Sequence, residues 1–156
     1  MDDKDVRLLE LLQENARHPL DRLAEAVSLS VPAVQRRIKK MRDQGVISRD
    51  VAVVDAPAVG MHLTFIIIVE LQRDQGAHVE AFRRKAMAEP LVQQCYYVTG
   101  EGDFVLITVA GNMAEYERMT RTLFLDDPNV QGFRTSIAMG SKYQSMALPV
   151  QVPGSG

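Results

Sequence analysis

Two short stretches of this chain combine residue types and spacings that could do chemistry. The first is Ser30-Val31-Pro32-Ala33-Val34-Gln35-Arg36-Arg37-Ile38-Lys39-Lys40-Met41-Arg42. Val34, Ile38 and Met41 recur at helical spacing as one apolar stripe, and Gln35, Arg36, Arg37, Lys39, Lys40 and Arg42 fill the other faces. Ser30 suits the N-cap, where its hydroxyl can accept from a first-turn amide. Pro32 is tolerated there because its missing N–H breaks no bond. A short helix with a buried stripe and a dense basic surface is what a DNA-reading helix needs, although a merely solvated cationic face has the same composition. On the DNA reading, Ser30 stands at the helix entry and Pro32, Ala33 and Gln35 lie near base edges. Arg36 or Arg37 contributes there, while Lys39, Lys40 and Arg42 grip phosphates.

The second stretch is Thr99-Gly100-Glu101-Gly102-Asp103. Two glycines can expose backbone amides to a carboxylate, Asp103 can receive an ammonium, and Thr99 can add a hydroxyl. A free amino acid carries both charges. A plain hairpin turn that needs glycine for its shape reads the same way. This Gly-x-Gly is no nucleotide loop, because neither a following Lys-Ser/Thr nor Rossmann spacing surrounds it. His18, His62 and His78 share no metal-ligand spacing, and the single cysteine, Cys95, falls in a strand and reads as packing. No catalytic set emerges, so no enzyme, metal or cofactor is expected.

The elements that must position these stretches follow from the rest of the chain. Its 156 residues are 46% hydrophobic, enough for a real core in one domain or two small ones. The net charge of -2 is unevenly placed: residues 31–49 hold six Lys or Arg against one acid, Asp43. A local basic patch suffices for phosphate contact, because screening makes nearby charges dominate. One cysteine fits a reducing compartment. The acidic start leads into no apolar signal segment, and the longest apolar run, Phe65 to Val69, is too short for a bilayer. A soluble cytoplasmic protein without a membrane partner is expected.

In order, Asp2 with Asp5 caps a first helix whose buried face is Val6, Leu9 and Leu12, with Leu8 beside them, ending around Asn15. Pro19 opens a second helix through Leu20, Leu23, Ala24 and Val27. Ser28-Leu29-Ser30 turns into the basic helix, which Gly45 closes as a left-handed cap. These three helices form a helix-turn-helix unit over 1–49. Residues 46–54 read as extended, and Pro57 and Gly60 punctuate a hinge, so 50–61 is the linker. From Leu63 the period changes. Strands at 65–69, 92–99, 104–110 and 130–139 alternate with helices around Val79–Ala86 and after Asn112, whose buried face is Tyr116, Met119, Thr120 and Leu123. A short fifth strand is expected over 142–148. The order β-α-β-β-α-β is the ferredoxin-like pattern, over 62–149, with a tail at 150–156. The fold class is therefore α+β.

Both helices of that pattern pack on one sheet face, and the other should be polar if it met water. Phe65 to Val69 has no polar residue, and Phe104 to Val109 has only Thr108. A second copy of the sheet is the preferred cover, since a dimer also supplies two reading helices for two half-sites. The helical domain or the tail is the other candidate.

These residues resemble the Lrp/AsnC, or feast/famine, transcriptional regulators over nearly all of 2–149. The likeness is carried by Asp2-x-x-Asp5-x-x-Leu8-Leu9, Leu23-Ala24-Glu25-x-Val27, and Leu29-Ser30-x-x-x-Val34-x-Arg36-Arg37-Ile38-Lys39-Lys40. It continues through Gly45-Val46-Ile47, Cys95-Tyr96-x-Val98-Thr99-Gly100-x-x-Asp103-Phe104 and Ala147-Leu148-Pro149. The resemblance implies a winged helix-turn-helix domain followed by a RAM/ACT-like sensing domain, and double-stranded DNA as a partner. It also implies homodimers that assemble into octamers, and an amino-acid effector bound between subunits near the Gly-x-x-Asp turn. The chain departs from the family pattern at Ser28 and at Asn129, where glycine is usual, and at Pro19, where a polar cap is usual. Ser28 at positive φ would cost about 1 kcal/mol, and Asn129 is expected as the next-best left-handed residue. A small metabolic enzyme on a ferredoxin-like domain and an architectural DNA-coating protein are the alternatives.

Overall fold

The computed structural model describes residues 1–73, 75–139 and 147–152, and the chain divides into two compact units, Met1–Val53 with Lys142–Gly156, and Val54–Ser141. In the first unit, helix α1 (Asp3–Glu14) begins with the expected reciprocal cap. The Asp5 amide donates to Asp2 Oδ1 and the Asp2 amide to Asp5 Oδ2, each at 3.0 Å. Its buried face is Leu8, Leu9 and Leu11, with Leu12 only partly buried. That face is rotated from the expected Val6-Leu9-Leu12 stripe, because four leucines in five positions offer two stripes and α2 and α3 select one. Helix α2 (Leu20–Val27) buries Leu23, Ala24 and Val27, and α3 (Val31–Asp43) buries Val34, Ile38 and Met41.

The turn between α2 and α3 passes through Ser28 at φ 51° and ψ 54°, the one non-glycine residue at positive φ among those described. The Ser28 amide donates to the Glu25 carbonyl at 3.1 Å and the Leu29 amide to the Ala24 carbonyl at 3.0 Å, closing the end of α2. Ser30 occupies the N-cap of α3, but its hydroxyl makes no capping bond, contrary to expectation. Gly45, at φ 72°, ends α3 as expected, with the Val46 amide returning 2.9 Å to the Met41 carbonyl. Residues 46–54 form no strand, and Val51 and Val53 remain exposed. Residues 147–152 rejoin this unit: the Gln13 side-chain amide donates to the Leu148 carbonyl at 3.1 Å and accepts from its amide at 2.7 Å, and Val150 packs on the helical core. Of the expected fifth strand, 142–146 lie outside the described residues and 147–148 are irregular.

The second unit opens with a 3₁₀ turn, Pro57–Val59, closed by Gly60. Then come β1 (Leu63–Leu71), α4 (Ala77–Ala88), β2 (Val92–Tyr97), β3 (Phe104–Ala110), α5 (Met113–Thr120) and β4 (Val130–Ile137). All pairings are antiparallel, in the order β2-β3-β1-β4. This is the ferredoxin-like arrangement, in which each βαβ half leaves room for a strand of the other. Alternation sends Phe65, Ile67, Val69, Phe104 and Leu106 toward α4 and α5, where they bury with Phe82, Met119, Leu123 and Phe124. Tyr116 stacks on Phe65 at 4.3 Å and donates its hydroxyl to Thr135 Oγ1 at 2.7 Å. Asn112 caps α5 by accepting from the Glu115 amide at 3.0 Å, while the Glu115 carboxylate accepts from the Gly111 amide at 2.8 Å. The helix widens into a π turn at Arg121–Leu125 before β4.

Asn129 departs from expectation. It does not take a left-handed conformation. Its side chain accepts from the Arg73 amide and donates to the Arg73 carbonyl, both at 3.1 Å, so it mimics a strand neighbour.

The sheet face away from α4 and α5 carries Thr64, Ile66, Ile68 and Glu70 from β1, Val105, Ile107 and Val109 from β3, Gln94 and Tyr96 from β2, and Arg134 and Ser136 from β4. Ile66 is 42% and Tyr96 52% exposed there. The centre of the face is apolar and its margin polar.

Candidate nucleic-acid interface and effector turn

Helix α3 is held by its buried stripe, so its remaining faces are fixed by helical rotation. Ser30, Pro32, Gln35, Arg36, Lys39 and Lys40 are exposed, and Ala33 and Arg37 are half-buried. At 100° per residue, Pro32, Gln35, Arg36, Lys39 and Lys40 share the outward face, whereas Arg37 sits on its flank beside the buried stripe. The expected residues therefore come together, with Arg37 turned aside.

Their charges are not equally free. Lys39 Nζ lies 2.7 Å from Asp43, one turn on, and Arg42 lies 2.9 Å from Asp50. Both pairs are exposed, where such contacts are weak and exchange readily for another anion. Among the described residues, Arg36 and Lys40 form no ion pair. Arg37 differs. Its Nη1 lies 2.9 and 2.8 Å from the two Asp2 oxygens and 2.8 Å from Asp5 Oδ1. The hydrogen bond from the Asp5 amide, and next that from Arg37, hold the Asp2 carboxyl below the usual carboxylate range. Hydrogen bonds to Asp5 and Asp2 push the guanidinium the other way, upward. Ala33, Arg36, Arg37 and Lys40 line one shallow groove with Asp2, Asp5 and Leu29. Sequence reading missed this arrangement, since Asp2 and Asp5 figured only as caps.

In the turn after β2, Thr99, Gly100 and Glu101 are exposed and Gly102 and Asp103 half-buried. Gly100 has φ 123° and Gly102 φ 83°. A Cβ on Gly102 would stand 2.5 Å from Ile68 Cγ2 and 3.1 Å from the Val69 carbonyl oxygen, so both space and dihedral demand glycine. The Asp103 amide donates to the Val69 carbonyl at 2.8 Å, and Asp103 Oδ2 accepts from the Leu71 amide at 2.6 Å. The turn is thus bolted to the end of β1, and one Asp103 oxygen already has a donor. Arg134, not anticipated from the sequence, reaches this turn from β4. Its Nη2 lies 3.3 Å from Glu70 and 3.5 Å from Glu101. The alternation of β4 could have put Arg134 on the open face, but only the strand order brings it beside Glu101.

Cys95 is half-buried against the core, and burial pushes its thiol up, away from the reactive thiolate. Among the described residues, no group of three His, Cys, Asp or Glu side chains is placed to hold a metal ion, and no helix is long and apolar enough to cross a membrane.

Comparison with known proteins agrees with this architecture. Residues 1–42 match the AsnC-type helix-turn-helix domain and residues 64–148 the Lrp/AsnC ligand binding domain. An HTH-type transcriptional regulator of Sinorhizobium fredii is 39% identical over 152 residues, covering 97% of this chain and 90% of that protein. The leucine-responsive regulatory protein of Rhizobium meliloti is 32% identical over 139 residues, covering 89% of each. A transcriptional regulator of Neisseria meningitidis, crystallised as an L-Met complex, superposes with a TM-score of 0.88 at 28% identity, covering 96% of each chain. Helix-turn-helix, four-stranded sheet and relatives agree, and the chain belongs to the Lrp/AsnC family: it is a DNA-binding transcriptional regulator, not an enzyme.

Proposed function

We propose that this regulator acts in the cytoplasm as a homodimer, the unit from which octamers are built, and that an amino acid adjusts its grip on DNA. Residues 1–49 read double-stranded DNA, 62–149 dimerise and sense the effector, and 50–61 link them. The outward face of α3 enters the major groove, with Ser30, Pro32, Ala33, Gln35 and Arg36 toward base edges and Lys39 and Lys40 on phosphates. The effector sits at Thr99-Gly100-Glu101-Gly102-Asp103. Its ammonium meets the free oxygen of Asp103, and its carboxylate meets turn amides and Arg134, displacing Glu101. It shifts the equilibrium between assemblies by binding one more tightly than another.

The observation that carries this reading is the open sheet face: a centre of Ile66, Ile68, Val105, Ile107 and Val109, with Glu70 and Arg134 at its edge beside the effector turn. Apolar centre and polar rim are the anatomy of a subunit interface. The L-Met bound to the Neisseria meningitidis relative supports an amino acid as effector. Sedimentation of the purified chain, alone and with each standard amino acid, tests the reading. The expected result is a dimer or a multiple of it, with at least one amino acid changing the mass or the DNA affinity. A monomer indifferent to every amino acid would overturn it. Calorimetry on Asp103→Asn, which keeps an acceptor for the Leu71 amide, should show weakened binding of the responding amino acid.

A further inference from the structure

We infer that Arg37 is a positioning residue: it clamps the DNA-reading helix to the start of α1 through Asp2 and Asp5, and contacts neither base nor phosphate itself. The inference rests on the reading of α3 as the DNA helix. Three carboxylate oxygens surround Nη1 of Arg37 at 2.8 to 2.9 Å. Two carboxylates against one guanidinium more than neutralise Arg37, so it has little charge left to offer a phosphate. Asp5 is only 14% exposed, so its pair with Arg37 is screened less than a surface pair.

The two acids cannot follow Arg37 elsewhere. Each also accepts the other's backbone amide in the capping box of α1, so the clamp is anchored to a helix terminus. The contrast with Arg36 is one residue wide. Arg36 lies on the outward face without an ion pair among the described residues, and Arg37 lies on the flank with two. What the clamp fixes is the rotation of α3. Successive side chains differ by 100° around a helix, so a small roll moves Gln35 and Arg36 off their targets. A recognition surface works when its supporting contacts hold it in place beforehand.

Charge and position predict opposite results when the acids are neutralised. Asp2→Asn/Asp5→Asn keeps the side-chain carbonyls that cap α1, removes two negative charges and releases Arg37. The test measures binding to the duplex upstream of the chain's own coding sequence across a salt series, with circular dichroism to confirm folding. The expected result is at least about fivefold weaker binding with an unchanged slope of log affinity on log salt. Tighter binding with a steeper slope would overturn the inference, because Arg37 would then have gained a phosphate. Arg37→Gln should likewise bind more weakly at constant slope, and a slope smaller by about one unit would overturn the inference as well. Arg36→Ala/Lys40→Ala tests the underlying reading separately. If that pair leaves both affinity and slope unchanged, α3 is not the DNA helix and the inference falls with it.

Discussion

The helical unit and the sheet unit finish their cores in different ways. In the helical unit, three short helices close around Leu8, Leu23, Val34 and Ile38, and what remains outside α3 is charge. In the sheet unit, one face is sealed by α4 and α5, while the other keeps isoleucines and valines at its surface. The first presents cations on α3, of which Arg36 and Lys40 form no ion pair among the described residues, and their complement is an anion. The second is hydrogen-bonded across β2-β3-β1-β4 and, among the described residues, leaves one apolar face open. The α3 face matches the anions of DNA and the open sheet face matches the proposed second copy, so the two units differ in the chemistry of the partner each suits.

Adjacent residues on β1 offer the sharpest way to break this comparison. Ile67 is fully buried under the helices, and Ile66 is 42% exposed on the open face. An aspartate at 67 would bury an unpaired carboxylate, at a cost of several kcal/mol, enough to unfold the unit. Ile66→Asp should leave the subunit folded by circular dichroism and shift sedimentation toward monomer. If the Ile66→Asp chain kept its full mass in solution, the open face would not be the interface. Next in size is Gly102→Ala. Its Cβ would meet Ile68 and the Val69 carbonyl at a dihedral that disfavours alanine, so a loss of about 2–3 kcal/mol is expected. Thermal melting measures the loss, and calorimetry should show that effector binding weakens with it.

The patterns that were legible in the sequence were local and periodic. The near-unbroken apolar runs Phe65 to Val69 and Phe104 to Ala110 mark strands and, through their missing polar face, an unfinished sheet. The spacing of Val34, Ile38 and Met41 revealed which side of α3 is buried, and so which side is free. What escaped depends on contacts between distant residues. Nothing near Arg37 announces Asp2, 35 positions away. Arg134 meets Glu70 and Glu101 only because β4 pairs with β1. The face of α1 was misplaced because its leucines fit two stripes, and the choice belongs to its neighbours. At Asn129 it is the side chain and not the backbone dihedral that turns the chain, through its two bonds to Arg73. In each case the deciding partner lies beyond the reach of local pattern.

Each unit also contains one position where residue and surroundings disagree, and these sharpen the comparison at smaller magnitude. In the sheet core, Thr108 is fully buried and its hydroxyl has no hydrogen-bond partner among the described residues. Thr108→Val removes a stranded polar group at nearly equal volume and should stabilise the sheet unit by about 1 kcal/mol, seen as a higher denaturation midpoint. In the helical unit the disagreement is in the backbone. Ser28 is strained at φ 51°, yet the turn needs that dihedral to reverse the chain between α2 and α3. Ser28→Gly relieves about 1 kcal/mol of left-handed strain, but glycine also gives the unfolded chain more freedom and returns part of that gain. The net expectation is a stabilisation of about 0.5 kcal/mol, confined to one unit. Hydrogen exchange can isolate it: amides of α2 and α3 should exchange more slowly while those of β1 and β3 stay unchanged. Slowing in both units would mean that they unfold together, and the division of labour between them would then be one of partners and not of stability.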